Sequence, residues 1–187
     1  MHNDLWQSYH PNGAPKQGEG LARKDVTKDT IVAAAHVWLW RRSSDGGCDI
    51  LLQRRSDQVK NWPGYWDISA AGHVSLGETP LDAALREAQE EIGITLDVSR
   101  VKFIGSLPKR KSAYSEFHFI YTYEYHDEPL DMVDGEAAAL RWVPYDTFRQ
   151  MVEQPEDAML VPHRPLYFAL LMEELGRIST NIARVMK

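Results

Sequence analysis

Four glutamates and one arginine fall within one short stretch of the sequence and could together support metal-dependent chemistry. Glu78 comes first, and Glu87, Glu90 and Glu91 then stand at i, i+3 and i+4, so on a helix their side chains converge on one face. Like charges at this spacing repel one another, and Arg86 can offset only part of that repulsion. Oxygen ligands favour a hard cation such as Mg²⁺ or Mn²⁺. The alternative is a solvated acidic helix face, which is common on protein surfaces.

The segment that carries these carboxylates has the signals of a capped amphipathic helix. Thr79 is a suitable N-cap, Pro80 suits the first helical position, and Asp82 lies in the first turn. Gly93 supplies a left-handed C-terminal stop. An apolar stripe at helical spacing must face the core, and it consists of Leu81, Ala84, Leu85, Ala88 and Ile92. The acidic residues lie off this stripe, so the helix should present them to a cleft or to solvent.

The complete spacing resembles the Nudix box, G-x5-E-x7-R-E-U-x-E-E-x-G-U, in which U is a bulky aliphatic residue. The matching positions are Gly72, Glu78, Arg86-Glu87, Glu90-Glu91 and Gly93-Ile94. Only Ala88 departs from the pattern, because it is smaller than the usual aliphatic residue. A motif with this many fixed positions is far more specific than a short glycine pattern.

The resemblance implies an α/β fold, an α/β/α sandwich with a mixed β-sheet, in which the box forms a catalytic loop-helix-loop beside the substrate cleft. It also implies that a divalent metal, Mg²⁺ or Mn²⁺, assists hydrolysis of a nucleoside diphosphate linked to another group. Water attack on a diphosphate needs its negative oxygens neutralised and the water oriented, which metal and carboxylates can do.

The resemblance also assigns roles to the box residues. Glu87 and Glu91 are expected to bind the metal, while Glu90 shares this role or accepts the proton of the attacking water. The backbone carbonyl of Gly72 is expected to complete the metal site, and Arg86 and Glu78 are expected to orient the carboxylates. In Nudix proteins a carboxylate on the loop before a later strand often joins the metal site or acts as the base. In this sequence the corresponding candidate is Glu136.

The likeness extends beyond the box to the isopentenyl-diphosphate-isomerase-like branch of Nudix proteins. It rests on the segments AAHVWLW, ILLQRRS and WPGYWDISAAGH. The isomerase carries a catalytic cysteine directly before the Gly-His of the box, where this sequence has Ala71, and residues 11–35 lack the histidines that the isomerase also uses. Isomerisation is therefore an alternative to hydrolysis, and a non-catalytic nucleotide-sensing module is another, although such modules usually lose box carboxylates.

Residues before the box are candidates for substrate contacts. Arg54 and Arg55 end a predicted strand, and their guanidinium groups suit phosphate, although a solvated strand end is an equally good interpretation. His73 lies in the box loop, where it either contacts substrate or only makes loop hydrogen bonds. Trp62 and Trp66 are interpreted as packing residues rather than as a platform for a ligand base.

Composition limits the possible partners. The chain has 187 residues and a formal net charge of −6, which argues against non-specific nucleic-acid binding. A small-molecule diphosphate is the expected partner. A single cysteine, Cys48, excludes an internal disulfide. The sequence has neither a signal peptide nor a long apolar run, so we expect a cytoplasmic protein that does not bind a membrane.

We expect one Nudix domain over residues 1–187, with an N-terminal extension at 1–30 and a helical segment at 155–187. Turns at 11–13 and 18–20 should divide the extension, in which LWQSYH is a possible edge strand. The buried strand Ile31–Trp40 contains His36, interpreted as a core histidine rather than as a ligand. The last helix has an apolar stripe that should pack on its own domain or, as second choice, form a homodimer contact. The stripe consists of Leu171, Leu175, Ile178, Ile182 and Val185, and Gly176 is a possible break in it. Further predicted strands lie at 49–54, 101–107, 117–125 and 137–143, with helices at 145–152 and 165–185.

Overall fold

The computed structural model describes residues 5–111, 113–133 and 135–185. The strands in these ranges are β1 Leu5–Tyr9, β2 Pro15–Ala22, β3 Ile31–Arg42, β4 Cys48–Arg55, β5 Trp66–Asp67, β6 Ala70–His73, β7 Val101–Arg110, β8 Ser115–Glu124 and β9 Ala137–Pro144. The α-helices are α1 Pro80–Ile92, α2 Tyr145–Glu153 and α3 Pro165–Val185. Among these helices none is long and apolar enough to cross a membrane.

A mixed, seven-stranded sheet forms the centre of the fold. Its main order is β5-β4-β3-β8-β7, with β6 paired to β3 and β9 paired to β4. β3 and β8 run parallel, with residues 31–40 of β3 paired to the whole of β8, and the other strand pairs of this sheet are antiparallel. Two strands pair with the same edge of β3: β6 pairs with Ala34–Val37, and β4 pairs with Trp40–Arg42. β3 is therefore the central strand that its continuous apolar sequence predicts.

Helices cover both faces of this sheet, which makes it the α/β/α sandwich expected from the resemblance. Alternate residues of β3 point to opposite faces. Val37 and Leu39 pack in the core beside α1, whereas Trp38 and Trp40 pack in the core beside α2 and α3. The carboxylate-bearing helix and the C-terminal helices thus lie on opposite sides of the sheet.

Local signals define the ends of α1 as predicted. Thr79 caps the helix by accepting a hydrogen bond from the backbone N–H of Asp82, and the Asp82 carboxylate accepts one from the backbone N–H of Thr79. Gly93 ends the helix with φ of 69°. Ala84, Ala88 and Ile92 of the predicted stripe are buried. The box helix is therefore fixed at both ends by residues within the motif.

The C-terminal helix packs on its own domain, which was the preferred alternative. Its buried residues include four from the predicted stripe, Leu171, Leu175, Ile178 and Ile182. Two details of the prediction were wrong. Val185 is 79% exposed, and Gly176 does not break the helix, which continues through it to Val185.

The N-terminal extension is more regular than its sequence suggests. The predicted edge strand is confirmed as β1, but it pairs with β2 in a separate two-stranded sheet. The predicted turn at 18–20 was wrong, because these residues lie inside β2. In the basic triplet at 109–111, Lys109 and Arg110 belong to β7, and the Nζ atom of Lys111 lies 2.7 Å from Glu116.

Ala88, the one departure from the box, is fully buried in the core between α1 and the sheet. We therefore expect Ala88→Leu to overpack this core and to reduce the free energy of unfolding by about 1–3 kcal/mol. Chemical denaturation measures this free energy. Leu85→Met is the volume-conserving control, because Leu85 is a partly buried residue of the same helix. An Ala88→Leu protein as stable as the parent would show that the core has room for the larger side chain.

Candidate active site

A cleft of about 790 Å³ lies where the box and the start of β9 meet the N-terminal hairpin, which consists of β1, β2 and the short turn at residues 23–25. Its lining residues include Gly72 and His73 from the box loop, and Arg86, Glu87, Glu90 and Glu91 from α1. Glu136 and Arg55 reach the same cleft from the loop before β9 and from the end of β4. Eight of the predicted site residues therefore lie around one cavity. The remaining two, Glu78 and Arg54, are not among its lining residues.

Arg86 is bonded to three box glutamates at once. Its guanidinium donates to Glu78 at 2.7 Å, to Glu87 at 2.7 Å and to Glu90 at 3.0 Å. It also donates to the backbone carbonyl of His73 at 2.9 Å. The hydrogen bond to Glu78 is the main cause of a pKa of Arg86 well above its usual value. Arg86 thus ties the helix carboxylates to the box loop.

Glu78 anchors this arrangement from outside the cleft. It accepts hydrogen bonds from Arg86 and from the backbone N–H of Ser75, the latter at 2.9 Å. Burial alone would raise the pKa of Glu78, but these hydrogen bonds outweigh it, so the pKa lies below its usual value. A carboxylate held ionised in this position keeps Arg86 oriented, which is the positioning role that the resemblance implies.

The closest packing in the site is between Gly72 and Glu87. A Cβ atom on Gly72 would lie 1.9 Å from the carboxyl carbon of Glu87, so only glycine leaves room for that carboxylate. Burial raises the pKa of Glu87, and the nearby Arg86 opposes this effect. A buried carboxylate with a raised pKa gains from a nearby positive charge. This cradle fits a cation bound by Glu87 beside the Gly72 backbone.

Glu91 is held against the sheet rather than extended into solvent. It is 7% exposed, and its Oε2 atom accepts a hydrogen bond from the backbone N–H of Ala71 at 3.1 Å. Glu136 lines the cleft opposite the helix, and its backbone carbonyl accepts a hydrogen bond from Ser56 at 2.7 Å. Carboxylates from two separate elements therefore face the same space, which suits a hard cation with oxygen ligands.

The two arginines at the end of β4 have different surroundings. Arg55 lines the cleft while donating to Asp67 and to the backbone carbonyl of Asn61, both at 3.0 Å. Arg54 instead donates to Asp57 at 3.0 Å and does not line the cleft. Of the two arginines considered for phosphate contacts or as a solvated strand end, only Arg55 lines the cleft and stays a candidate for phosphate. The difference follows because adjacent strand residues point in opposite directions.

Four residues of the N-terminal extension line the cleft, although few features of the sequence pointed to them. They are Trp6, Ala22, Arg23 and Lys24. β1 lies beside the residues that follow β6, with a hydrogen bond of 2.8 Å from the Gln7 N–H to the Val74 carbonyl. This contact brings Trp6 over His73, where the rings stack with centroids 3.7 Å apart. The adjacent basic residues at 23 and 24 were the only sequence signal.

His73 connects the cleft with the interior. Beyond its stacking on Trp6, its Nε2 atom lies 2.9 Å from Oε1 of the buried Glu116, although the two groups are not aligned as a hydrogen bond. Its backbone carbonyl also accepts from Arg86. His73 thus lines the cleft with its ring stacked on Trp6 and close to Glu116, and with its backbone bonded to Arg86.

The remaining sequence candidates lie outside the cleft. Trp66 packs as predicted, with the Arg141 guanidinium 4.1 Å from its ring centre, but Trp62 is 45% exposed and does not fill a core. Cys48 is buried, and burial raises the pKa of its thiol to about 12. A thiol with so high a pKa is a poor nucleophile.

A comparison with models of protein families identifies the family of this chain. The model of the NUDIX domain matches residues 30–164, well over half of the chain. The chain belongs to the Nudix family. This match also covers the box and the central sheet, and it leaves the hairpin that carries Trp6, Arg23 and Lys24 outside the matched range.

Relatives and solved structures agree with the family assignment. The chain is 34% identical over 159 residues to Nudix hydrolase 3 of Arabidopsis thaliana, covering 79% of this chain but 20% of that protein. It is 49% identical over 49 residues to an isopentenyl-diphosphate Delta-isomerase of Corynebacterium diphtheriae, covering 26% of this chain and 27% of that one. The chain thus spans about a quarter or less of the length of these two relatives.

A crystal structure of a NUDIX hydrolase from Alicyclobacillus acidocaldarius has the same fold, with a TM-score of 0.61 at 16% identity. The match covers 81% of this chain and 92% of that one. The fold similarity therefore includes most of both chains, and it agrees with the α/β/α arrangement around the box.

Proposed function

We propose that this Nudix protein hydrolyses a diphosphate linkage in a nucleoside diphosphate joined to another group, with Mg²⁺ or Mn²⁺ as cofactor. The observation that carries the proposal is the pairing of charges around the cleft. Among the described lining residues, the acidic set is Glu87, Glu90, Glu91 and Glu136, and the basic set is Arg23, Lys24, Arg55 and Arg86. The formal charges of these two sets cancel. A bound divalent cation would therefore give the cleft a net positive charge that attracts a diphosphate.

The chain's own residues supply binding, orientation and proton transfer. Glu87 and Glu91 would hold the cation beside the Gly72 carbonyl, and Arg86 keeps Glu87 and Glu90 in place through its hydrogen bonds. A bound cation would supply positive charge that neutralises the diphosphate oxygens and makes the attacking water easier to deprotonate. Glu90 or Glu136, which both face the cleft, would accept the proton of the attacking water.

Arg23, Lys24 and Arg55 form a basic wall of the cleft. This basic wall would bind the substrate and set its orientation. Arg55 lines the cleft at the end of β4, while Arg23 and Lys24 lie across from the box on the extension. Guanidinium and ammonium groups bind phosphate oxygens with charge-assisted hydrogen bonds. Trp6 offers an aromatic surface at the same wall, with the Arg23 guanidinium 6.0 Å from its ring centre. A nucleoside end and a diphosphate both find suitable partners here.

The test is a screen of nucleotide sugars, nucleoside triphosphates and dinucleotide coenzymes with Mg²⁺ in ¹⁸O-labelled water. We expect one class to be cleaved at its diphosphate, with one ¹⁸O atom entering a phosphate product and with full loss of turnover in a chelator. Metal-dependent binding without turnover of any class would favour the nucleotide-sensing module instead.

The Lys24→Ala variant examines the basic wall on whichever substrate the screen finds. Loss of one charge-assisted contact should raise KM about 10-fold or more, since such a hydrogen bond is worth about 1.5–3 kcal/mol. Lys28→Ala is the matched control, because Lys28 is exposed and does not line the cleft. An equal KM for the parent and both variants would remove the extension from the substrate site.

Isomerisation of isopentenyl diphosphate is the second candidate, favoured only by the partial similarity to an isomerase. The site lacks the thiol that this chemistry requires in the resembling branch, since Ala71 lines the cleft at that position. We expect no dimethylallyl diphosphate from the parent protein, and no useful gain from Ala71→Cys alone. Formation of that product by the parent would establish isomerisation in place of hydrolysis.

A further inference from the structure

Three histidines meet on the face of the sheet opposite the box helix. His36 comes from β3, His118 from β8, and His163 from the segment just before α3. Potential ligand nitrogens of the three rings all lie within 4.8 Å of one another. His36 and His118 are 6% and 4% exposed, and the side chain of His163 is 6% exposed. Three elements that are distant in sequence thus place three buried imidazoles together.

Two of these rings are oriented by a hydrogen bond that occupies only one ring nitrogen. Glu116 lies 2.7 Å from Nε2 of His118, and the Tyr167 hydroxyl lies 2.9 Å from Nδ1 of His36. The second nitrogen of each ring is therefore left for a ligand. A histidine that donates its other N–H to a carboxylate is the usual arrangement at a protein metal site.

The third ring, that of His163, has a nitrogen atom without a hydrogen bond to the described part of the chain. Nε2 of His163 is buried and has no hydrogen-bond partner among the described residues. The carboxylate of Asp67 lies 3.7 Å from it, beyond hydrogen-bond distance. A buried polar atom of this kind costs about 1–3 kcal/mol unless something binds it. A metal ion bound at this nitrogen would remove that cost.

We propose that His36, His118 and His163 form a binding site for a divalent transition metal of the zinc class. Imidazole nitrogens favour Zn²⁺ and similar ions, whereas the box carboxylates favour Mg²⁺ or Mn²⁺, so the two sites differ in the metal they select. Nitrogens around Zn²⁺ lie about 3.3 Å apart at a Zn–N distance of about 2.0–2.1 Å. The cluster therefore needs only a modest contraction.

The surroundings agree with this assignment. Burial, followed by the neighbouring His118 and His163, holds the pKa of His36 well below its usual value, and burial also lowers the pKa of His118. Both imidazoles thus stay in the neutral form that binds metal. A cavity of about 130 Å³ borders His118 and His163 and is also lined by Lys109 and Arg164. It gives room for a water molecule or a small anion as fourth ligand.

The site is tested with Co²⁺ and Zn²⁺ on chelator-treated protein in excess Mg²⁺, which fills the box carboxylates. The parent should bind one Co²⁺ with the visible absorption of a four-coordinate site. Zn²⁺ at about 100 times its Kd should raise the Tm by about 5–10 °C. His163→Asn should abolish both effects, while Glu91→Gln should retain them, which separates this site from the proposed catalytic metal.

His126→Asn is the matched control, because His126 lies on a loop and its side chain is 59% exposed. Metal-free melting shows whether His163→Asn is folded. If it is not, ¹⁵N NMR of the parent's imidazoles during Zn²⁺ titration gives the answer without a variant, since ligating nitrogens must shift. A parent that binds no Co²⁺ or Zn²⁺ in excess Mg²⁺, imidazole signals that do not move, or a folded His163→Asn protein that binds like the parent would overturn the proposal.

Discussion

The Glu91→Gln variant is expected to lose turnover about 10²- to 10⁴-fold while keeping its fold. The change removes one anionic ligand from the proposed metal site but leaves an oxygen that can still accept from the Ala71 N–H, now at 3.1 Å. α1 should survive, because Thr79 and Gly93 fix its ends independently of Glu91. The loss should therefore come from weakened cation binding and not from unfolding.

Thermal unfolding with and without Mg²⁺ distinguishes these causes. In the absence of metal, Glu91→Gln should be as stable as the parent or slightly more stable, because the like-charge repulsion between positions 87 and 91, four residues apart on α1, is relieved. The Mg²⁺-induced rise in Tm should shrink or disappear. Glu173→Gln is the control, since Glu173 is an exposed glutamate of α3. Full activity together with an unchanged Mg²⁺ effect would show that the carboxylate face is only a solvated surface.

The part of the site that the sequence predicted is the part encoded locally. The box places Glu87, Glu90 and Glu91 on one helix, and helical geometry puts Glu90 one turn after Arg86, where the two form a hydrogen bond. The ends of that helix depend on Thr79 and Gly93, which are also within the motif. Short-range rules were therefore sufficient for the acidic wall of the cleft.

The side of the cleft formed by Trp6, Arg23 and Lys24 could not be predicted, because it depends on contacts between distant segments. β2 has the sequence PKQGEGLA, which lacks the alternation of a half-buried strand and forms by pairing with β1. Only that hairpin, resting against Val74 and Ser75, brings Arg23 and Lys24 to the box. Similarly, His36 was interpreted correctly as a buried histidine, but nothing in its neighbourhood in the sequence indicated His118 or His163.

Gly72→Ala should have an equally large effect through a different cause. Gly72 lies in β6, paired with Ala35, and its φ is not positive, so the backbone itself accepts alanine. The new Cβ atom would nevertheless lie 1.9 Å from the Glu87 carboxyl group, which must move. We expect turnover to fall about 100-fold or more, and the free energy of unfolding to fall by about 1–3 kcal/mol.

A double variant identifies the clash as the cause. Glu87→Ala removes the side chain that the new Cβ atom would strike, so Gly72→Ala should cost little stability in that background, although both Glu87→Ala proteins remain inactive. The loss of stability caused by Gly72→Ala is thus measured with and without the Glu87 side chain, and the difference between the two losses gives the coupling between these residues. Gly47→Ala is the control for glycine replacement itself, because its nearest contact would be Ser179 Oγ at 3.4 Å. If Gly72→Ala destabilises the protein equally with and without the Glu87 side chain, the box glycine is not required as a cradle for that carboxylate, and its place in the motif must depend on the backbone alone.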